Sequence, residues 1–219
     1  MNRLCVCLSL WTTVFGAQAE DFMVLGRAVS LEPPPGYCAL GGTLAEREFV
    51  AKLKALMEPA GQLLQVTVPC ADLLRASAGA ISRFPRTATV MVVKTRGNLR
   101  LDPRTREHFL KSLGASAVVD VSAANGRLRS ALANTGTAGS LASMTPLGSD
   151  DRALYWTAVG TMQVGGGEPQ KAASVMAALL INGLPLGIQA TEAVGNTDGP
   201  APATVAQRYV NAIVERNER

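Results

Sequence analysis

The chain has 219 residues, of which 47% are hydrophobic, 17% charged and 5% aromatic, with a formal net charge of +4. That balance excludes a disordered or fibrous polypeptide and fits one good-sized core, or at most two small ones. The charge is too mild by itself to imply nucleic acid. With so few aromatic side chains, the core must rest on Leu, Val, Ile, Ala and Met.

The chain opens with a single cation, Arg3, an apolar run from Leu4 to about Phe15, and small residues at Ala17 and Ala19. This is the layout of a secretory signal peptide with cleavage after Ala19. The run is short for a membrane span, which needs about 20 apolar residues, and no later stretch is long and apolar enough. We therefore expect a periplasmic or secreted protein, not transmembrane after cleavage, with one domain from Glu20 to Arg219. Cys5 and Cys7 leave with the leader, so Cys38 and Cys70 remain as a pair in an oxidising compartment. Such a pair predicts a structural disulfide. A metal site is not expected, because the single histidine, His108, and two thiols do not complete a tetrahedral set. A thioredoxin-like pair would have its cysteines two residues apart.

After an apolar lead-in, "FMVLGRAVSL", Pro33, Pro34 and Pro35 impose an extended crossing, and Gly36 frees the turn into Cys38. Thr43 followed by Glu46 is a capping-box signature, with Pro59 and Gly61 as the stop. Phe49, Val50, Leu53, Leu56 and Met57 share one face of that helix, predicting an amphipathic helix lying on a core. "QLLQVTVPC" and "TATVMVVKTRG" read as strands. The disulfide would then tie the segment before the first helix to the strand after it. "DPRTREHFLKSLG" predicts a helix capped by Asp102, with Pro103 in its first turn and Gly114 beyond its end.

The next stretch gives weaker signals: a short strand at Ala117–Val121, a helical turn near Leu128, and a neutral Gly/Ser/Thr loop from Asn134 to Asp151. Arg152–Val164 alternates as a strand into a glycine-rich turn. Residues 171–181 fit a helix as well as a strand buried on both faces. Asn182-Gly183 favours the strand, because Asn-Gly between apolar runs is the strongest short hairpin signal. A closing helix carries Val205, Tyr209, Val210, Ile213 and Val214 on one face.

A strand, a glycine turn, a second strand ending in "NG", a third strand and the terminal helix "VAQRYVNAIVERN" resemble the PsbP/Mog family, chiefly over residues 152–219. The resemblance implies an α+β fold, an antiparallel β-sheet flanked by helices in an α/β/α sandwich. It also implies a protein that binds or stabilises other proteins without catalysis, and it carries over no catalytic residue and no cofactor.

No G-x-S-x-G elbow, S-x-x-K motif or P-loop is present, and His108 falls on a charged helix face with Arg104 and Lys111. One asymmetry stands out. Between Arg75 and Lys111 lie Arg75, Arg83, Arg86, Lys94, Arg96, Arg100, Arg104, Arg106 and Lys111, against only Asp102 and Glu107. Of these, Arg96, Arg100, Arg104, Arg106 and Lys111 are the candidate anion- or partner-binding set. The expected function is a non-catalytic envelope module whose partner is another envelope protein. The alternatives are an anionic lipid or glycan on the basic segment, or hydrolysis by a Ser or Asp near residues 134–151. Nucleic acid is not expected as the partner of an exported protein.

Overall fold

The computed structural model describes residues 19–115, 120–133, 137–164, 168–195 and 199–218; the expected leader therefore lies outside them, apart from Ala19. The elements in chain order are β1 (Glu20–Val24), β2 (Arg27–Leu31), β3 (Tyr37–Ala39), α1 (Leu44–Met57), β4 (Gly61–Pro69), α2 (Cys70–Ser77), β5 (Arg86–Val93), α3 (Arg106–Ala115), α4 (Val121–Leu132), β6 (Thr137–Ser149), β7 (Leu154–Val164), β8 (Gln170–Ile181), β9 (Leu184–Ala193) and α5 (Pro202–Asn217). Strands β3 to β9 make one antiparallel sheet in the order β3-β4-β5-β9-β8-β7-β6, and β1–β2 is a separate hairpin. The fold is α+β with helices on both sheet faces. Among the described residues no helix is long and apolar enough to cross a membrane.

The alternation of side chains fixes which helix lies on which face. Ala88, Val90 and Val92 of β5, Leu184, Leu186, Ile188 and Ala190 of β9, and Val175, Ala177, Leu179 and Ile181 of β8 form one buried cluster. Helix α5 completes it with Val205, Ala206, Tyr209, Val210, Ile213 and Val214. Each of the Val, Leu and Ile side chains contributes about 1.5–3 kcal/mol as an upper bound. Hairpin β1–β2 packs beside α5 through Val24, Val29 and Leu31. On the opposite face, Phe109 and Leu110 of α3 meet Leu154 and Leu180, while Leu128 and Leu132 of α4 approach Gly139 of β6.

The structure departs from the sequence expectations at several places. The lead-in is a hairpin turning at Leu25-Gly26, and a short helix, α2, follows Pro69 directly. Helix α3 starts later than expected: Thr105, not Asp102, caps it by accepting the His108 amide, and Gly114 lies inside it. Of the strand expected at 117–121, residues 117–119 fall outside the described residues, and Asp120 and Val121 cap and begin α4. The expected loop at 134–151 is largely the 13-residue edge strand β6. Small, uncharged side chains mimic loop composition, but β7 supplies the ladder that makes them a strand. Residues 170–181 are strand β8, joined to β9 through Asn182 (φ 51°) and Gly183 (φ 77°), the backbone that a two-residue hairpin turn requires.

Cys38 and Cys70 are bonded across 32 residues, fastening β3 to the start of α2. Closing a loop of this length contributes about 4 kcal/mol in the chain-entropy model. Replacing both cysteines by Ala should lower unfolding stability by roughly 3–4 kcal/mol in urea titrations. Non-reducing mass spectrometry of the wild-type protein checks the bridge.

The long edge of β6 is guarded. The Asn125 side chain from α4 accepts the Leu141 amide (2.6 Å) and donates to the Leu141 carbonyl (2.9 Å), copying the contacts of a neighbouring strand. Pro146 and two register shifts disrupt the edge further along. Asn125→Ala should cost about 1–3 kcal/mol and produce concentration-dependent association in size-exclusion chromatography. Adding a charge with Ala142→Lys should suppress that association.

Candidate functional site

Helix α1 begins as its sequence dictates. The Glu46 amide donates to the Thr43 hydroxyl, and the Glu46 carboxylate accepts the amides of Gly41 (3.0 Å) and Gly42 (2.9 Å) and the Thr43 hydroxyl. Partial burial alone would raise the Glu46 pKa, but these donors hold it below the usual carboxylate range. The cap is sound, yet the helix does not bury its apolar stripe. Phe49, Val50, Leu53, Leu56 and Met57 are all only half-buried, and α1 has no buried residue at all. Phe49 meets Phe84 edge-to-face at 5.7 Å.

The sheet beneath is closed at β4 and half-open on the strands beyond it. Thr67 and Gln65 of β4 point to α5, where Tyr209 lies 2.7 Å and 3.2 Å from them. The alternate β4 residues Leu63, Val66 and Val68 therefore face α1. On that same face Met91, Val93, Met176, Gln189, Thr191 and Ser174 are half-buried. Ser174 and Thr191 share a hydroxyl hydrogen bond of 2.9 Å, and the Gln189 amide reaches both. Helices α1, over β4, and α4, over β6, touch each other although four strands separate their supports. In a flat sheet they would lie roughly 24 Å apart. The two helices therefore lean toward each other across this face. The result is a cradle with a methionine-bearing floor, a neutral polar patch and a half-open apolar helix on one wall. Sequence reasoning found the α1 stripe and laid it on a core; β4 supplies buried Leu63, Val66 and Val68 there, while the stripe itself stays half-buried. The missed signal is β9, where buried Leu186, Ile188 and Ala190 alternate with half-buried Gly187, Gln189 and Thr191, marking a strand fully covered on one side only.

The basic segment does not form one surface. Arg86 and Lys94 flank strand β5 at opposite ends, about 25 Å apart. At one end, Arg86 lies 3.2 Å from the buried carboxylate of Asp72, which Arg75 also approaches. Beside Arg86 is a shallow hollow of about 170 Å³, part of it open to solvent, lined by Tyr37, Thr191, Glu192 and Pro202. Its enclosed space is about 10 Å³, room for about one water molecule. At the other end, Lys94 pairs with Glu58 at 2.5 Å, Arg104 with Asp102 at 2.5 Å, and Arg106 with Glu218. Arg104 also stacks over Phe109. The Asp102 carboxyl is held low first by the Arg104 hydrogen bond, against a smaller effect of burial. Burial lowers the Arg106 pKa, with Asp151 opposing. Of the five candidate cations, Arg104 and Arg106 are engaged internally, whereas Arg96, Arg100 and Lys111 have no ion pair among the described residues.

The acidic pair at 150–151 closes the β6–β7 connection. Asp150 accepts the amides of Ala153 (2.7 Å) and Arg152 (2.8 Å) and the Tyr155 hydroxyl (2.9 Å). Burial acts to raise its pKa, but these donors overcome it and hold the carboxyl low; burial and Asp150 together push the Tyr155 hydroxyl up. The Ser140 hydroxyl is paired with Thr161 at 2.8 Å. Among the described residues no group of three His, Cys, Asp or Glu is placed to hold a metal ion. His108 is exposed, beside Thr105.

Because the Asp150 pKa is lower folded than unfolded, its contribution is present above the unfolded carboxylate pKa of about 4 and is lost as pH falls through the folded value. Asp150→Asn should therefore reduce stability at pH 7 more than at acid pH. Thermal melts across pH 2–7 check this, with the variant showing the shallower acid limb.

Among solved structures, the chain is similar to the cyanobacterial PsbP protein CyanoP of Synechocystis, with 10% identity and a TM-score of 0.39 over 94% of this chain and 96% of that one. It is also similar to a variant of protein Mog1, with 12% identity and a TM-score of 0.33 over 91% and 94%. Neither likeness assigns a residue or a role. No family model and no curated protein matches the chain.

Proposed function

We propose that this is an exported, non-catalytic binding module of the cell envelope, and that the face under α1 is where it takes another envelope protein. The observation that carries this reading is the α1 stripe: five apolar side chains at helical spacing, none of them buried, above a floor of half-open Met91, Val93 and Met176. Apolar surface left half-open beneath a helix is what a protein ligand can cover. The floor is neutral, with Gln189, Ser174 and Thr191 supplying hydrogen-bonding groups and no charged side chain to desolvate. The Cys38–Cys70 bridge accords with an oxidising compartment.

Leu53→Glu tests the surface, because a half-exposed position tolerates charge while an occupied cradle does not. The variant should melt within a few degrees of wild type, an effect of about 1 kcal/mol or less. It should also lose the envelope protein that a photo-crosslinker at Leu56 captures in the wild type. Undiminished capture by Leu53→Glu would overturn the assignment of this face.

A further inference from the structure

We propose that the sheet end carrying the β8–β9 turn is a docking pole for an anionic lipid surface. Two segments distant in sequence flank that turn. The Asn182 amide donates to the Ala28 carbonyl of β2 at 2.9 Å, and the Asp102 amide donates to the Gly183 carbonyl at 2.7 Å, with Leu101 packed beside Gly183. The tip of the β1–β2 hairpin lies within about 10 Å of Ala28 along the strand. It therefore shares this end of the molecule with the 95–101 segment.

Both segments present apolar side chains to solvent: Met23 is 68% exposed, Leu25 49% and Leu101 39%. Leu25 stands at φ 50° in the first position of the hairpin turn, where Asn, Asp or Gly sits without strain. A branched apolar residue there leaves about half of its side chain to solvent. Its side chain is offered outward at a conformational cost, which marks such positions as functional candidates.

The charges around it are sorted. Lys94, Arg104 and Arg106 are neutralised by Glu58, Asp102 and Glu218. Arg27, Arg96 and Arg100 are exposed and have no ion pair among the described residues. Asp151 is the acidic neighbour of Arg106 on this side. Three unpaired guanidinium groups beside three exposed apolar side chains complement an anionic headgroup layer over acyl chains: the cations meet phosphates and the apolar tips enter the boundary. This surface is separate from the α1 cradle, and its failure leaves the cradle reading untouched.

Flotation of the full-length mature chain with vesicles tests the pole. One set is phosphatidylcholine alone and the other contains roughly 30 mol % phosphatidylglycerol, both at low salt. Binding is expected on the anionic vesicles only, declining as salt rises. Neutralising each cation should weaken it about fivefold, so the combined Arg27→Gln, Arg96→Gln and Arg100→Gln variant should lose about a hundredfold. Leu25→Gly removes the apolar tip and relieves the turn. It should leave the melting temperature equal or higher while weakening vesicle binding about tenfold or more. No flotation of the wild type, or flotation unchanged in the triple variant, overturns the proposal. So does retention on a soluble polyanion such as heparin without vesicle binding, which would assign these cations to a glycan or acidic partner.

Discussion

Helix α5 decides which side of the sheet is closed. Its inward face carries six buried residues, and Tyr209 places its hydroxyl against Thr67 and Gln65 of β4 at the floor of that packing. Burial pushes the Tyr209 pKa up, and the Thr67 hydroxyl only partly offsets this, so the phenol stays protonated and able to donate. A buried hydroxyl with partners is favourable, while the same group without them costs about 1–3 kcal/mol, so the helix has one rotational setting. Everything else follows from that seating. Once β5, β8 and β9 commit their strongly apolar positions to α5, the opposite face holds Met91, Gln189, Ser174 and Thr191. Three shorter helices cover that face incompletely.

The elements legible in the sequence were those whose signal is local. The α1 capping box, the Asn182-Gly183 turn and the stripe of α5 each depend on residues within one or two turns of the chain. The disulfide followed from compartment and count. The failures have a common cause in partners supplied from elsewhere. Strand β6 looks like a loop because Ser, Thr, Gly and Ala carry no amphipathic signal, and only pairing with β7 and the Asn125 contact from α4 make it a strand. Asp102 looks like a helix cap because it precedes Pro103, yet Arg104 and the Gly183 carbonyl engage it first.

The basic segment shows the same limit for the candidate site. Counting cations along a chain predicts a patch only if the backbone keeps them together and no carboxylate from a distant element claims them. Strand β5 separates Arg86 from Lys94, and Glu218, from beyond the end of α5, claims Arg106. What survives this pairing is a smaller set, Arg96 and Arg100, joined by Arg27 from a hairpin that the sequence did not reveal.

The two ends of the sheet are consequently unlike. At one end a disulfide, a buried Asp72–Arg86 pair and the short strand β3 fasten the chain. Breaking either partner of such an ion pair leaves a buried charge, which costs about 3–5 kcal/mol. That end is therefore costly to rearrange and suited to holding shape. At the other end the salt bridges are solvent-exposed, each worth about 1 kcal/mol or less, and two loops and a hairpin tip present side chains that no internal contact requires. A binding surface that must adjust to a partner belongs at the end where local motion is cheap. The face under α1 lies between the two ends and draws on both: its strands are fixed by α5 and the fastened end, while α1 keeps its own apolar stripe only half-buried on that base.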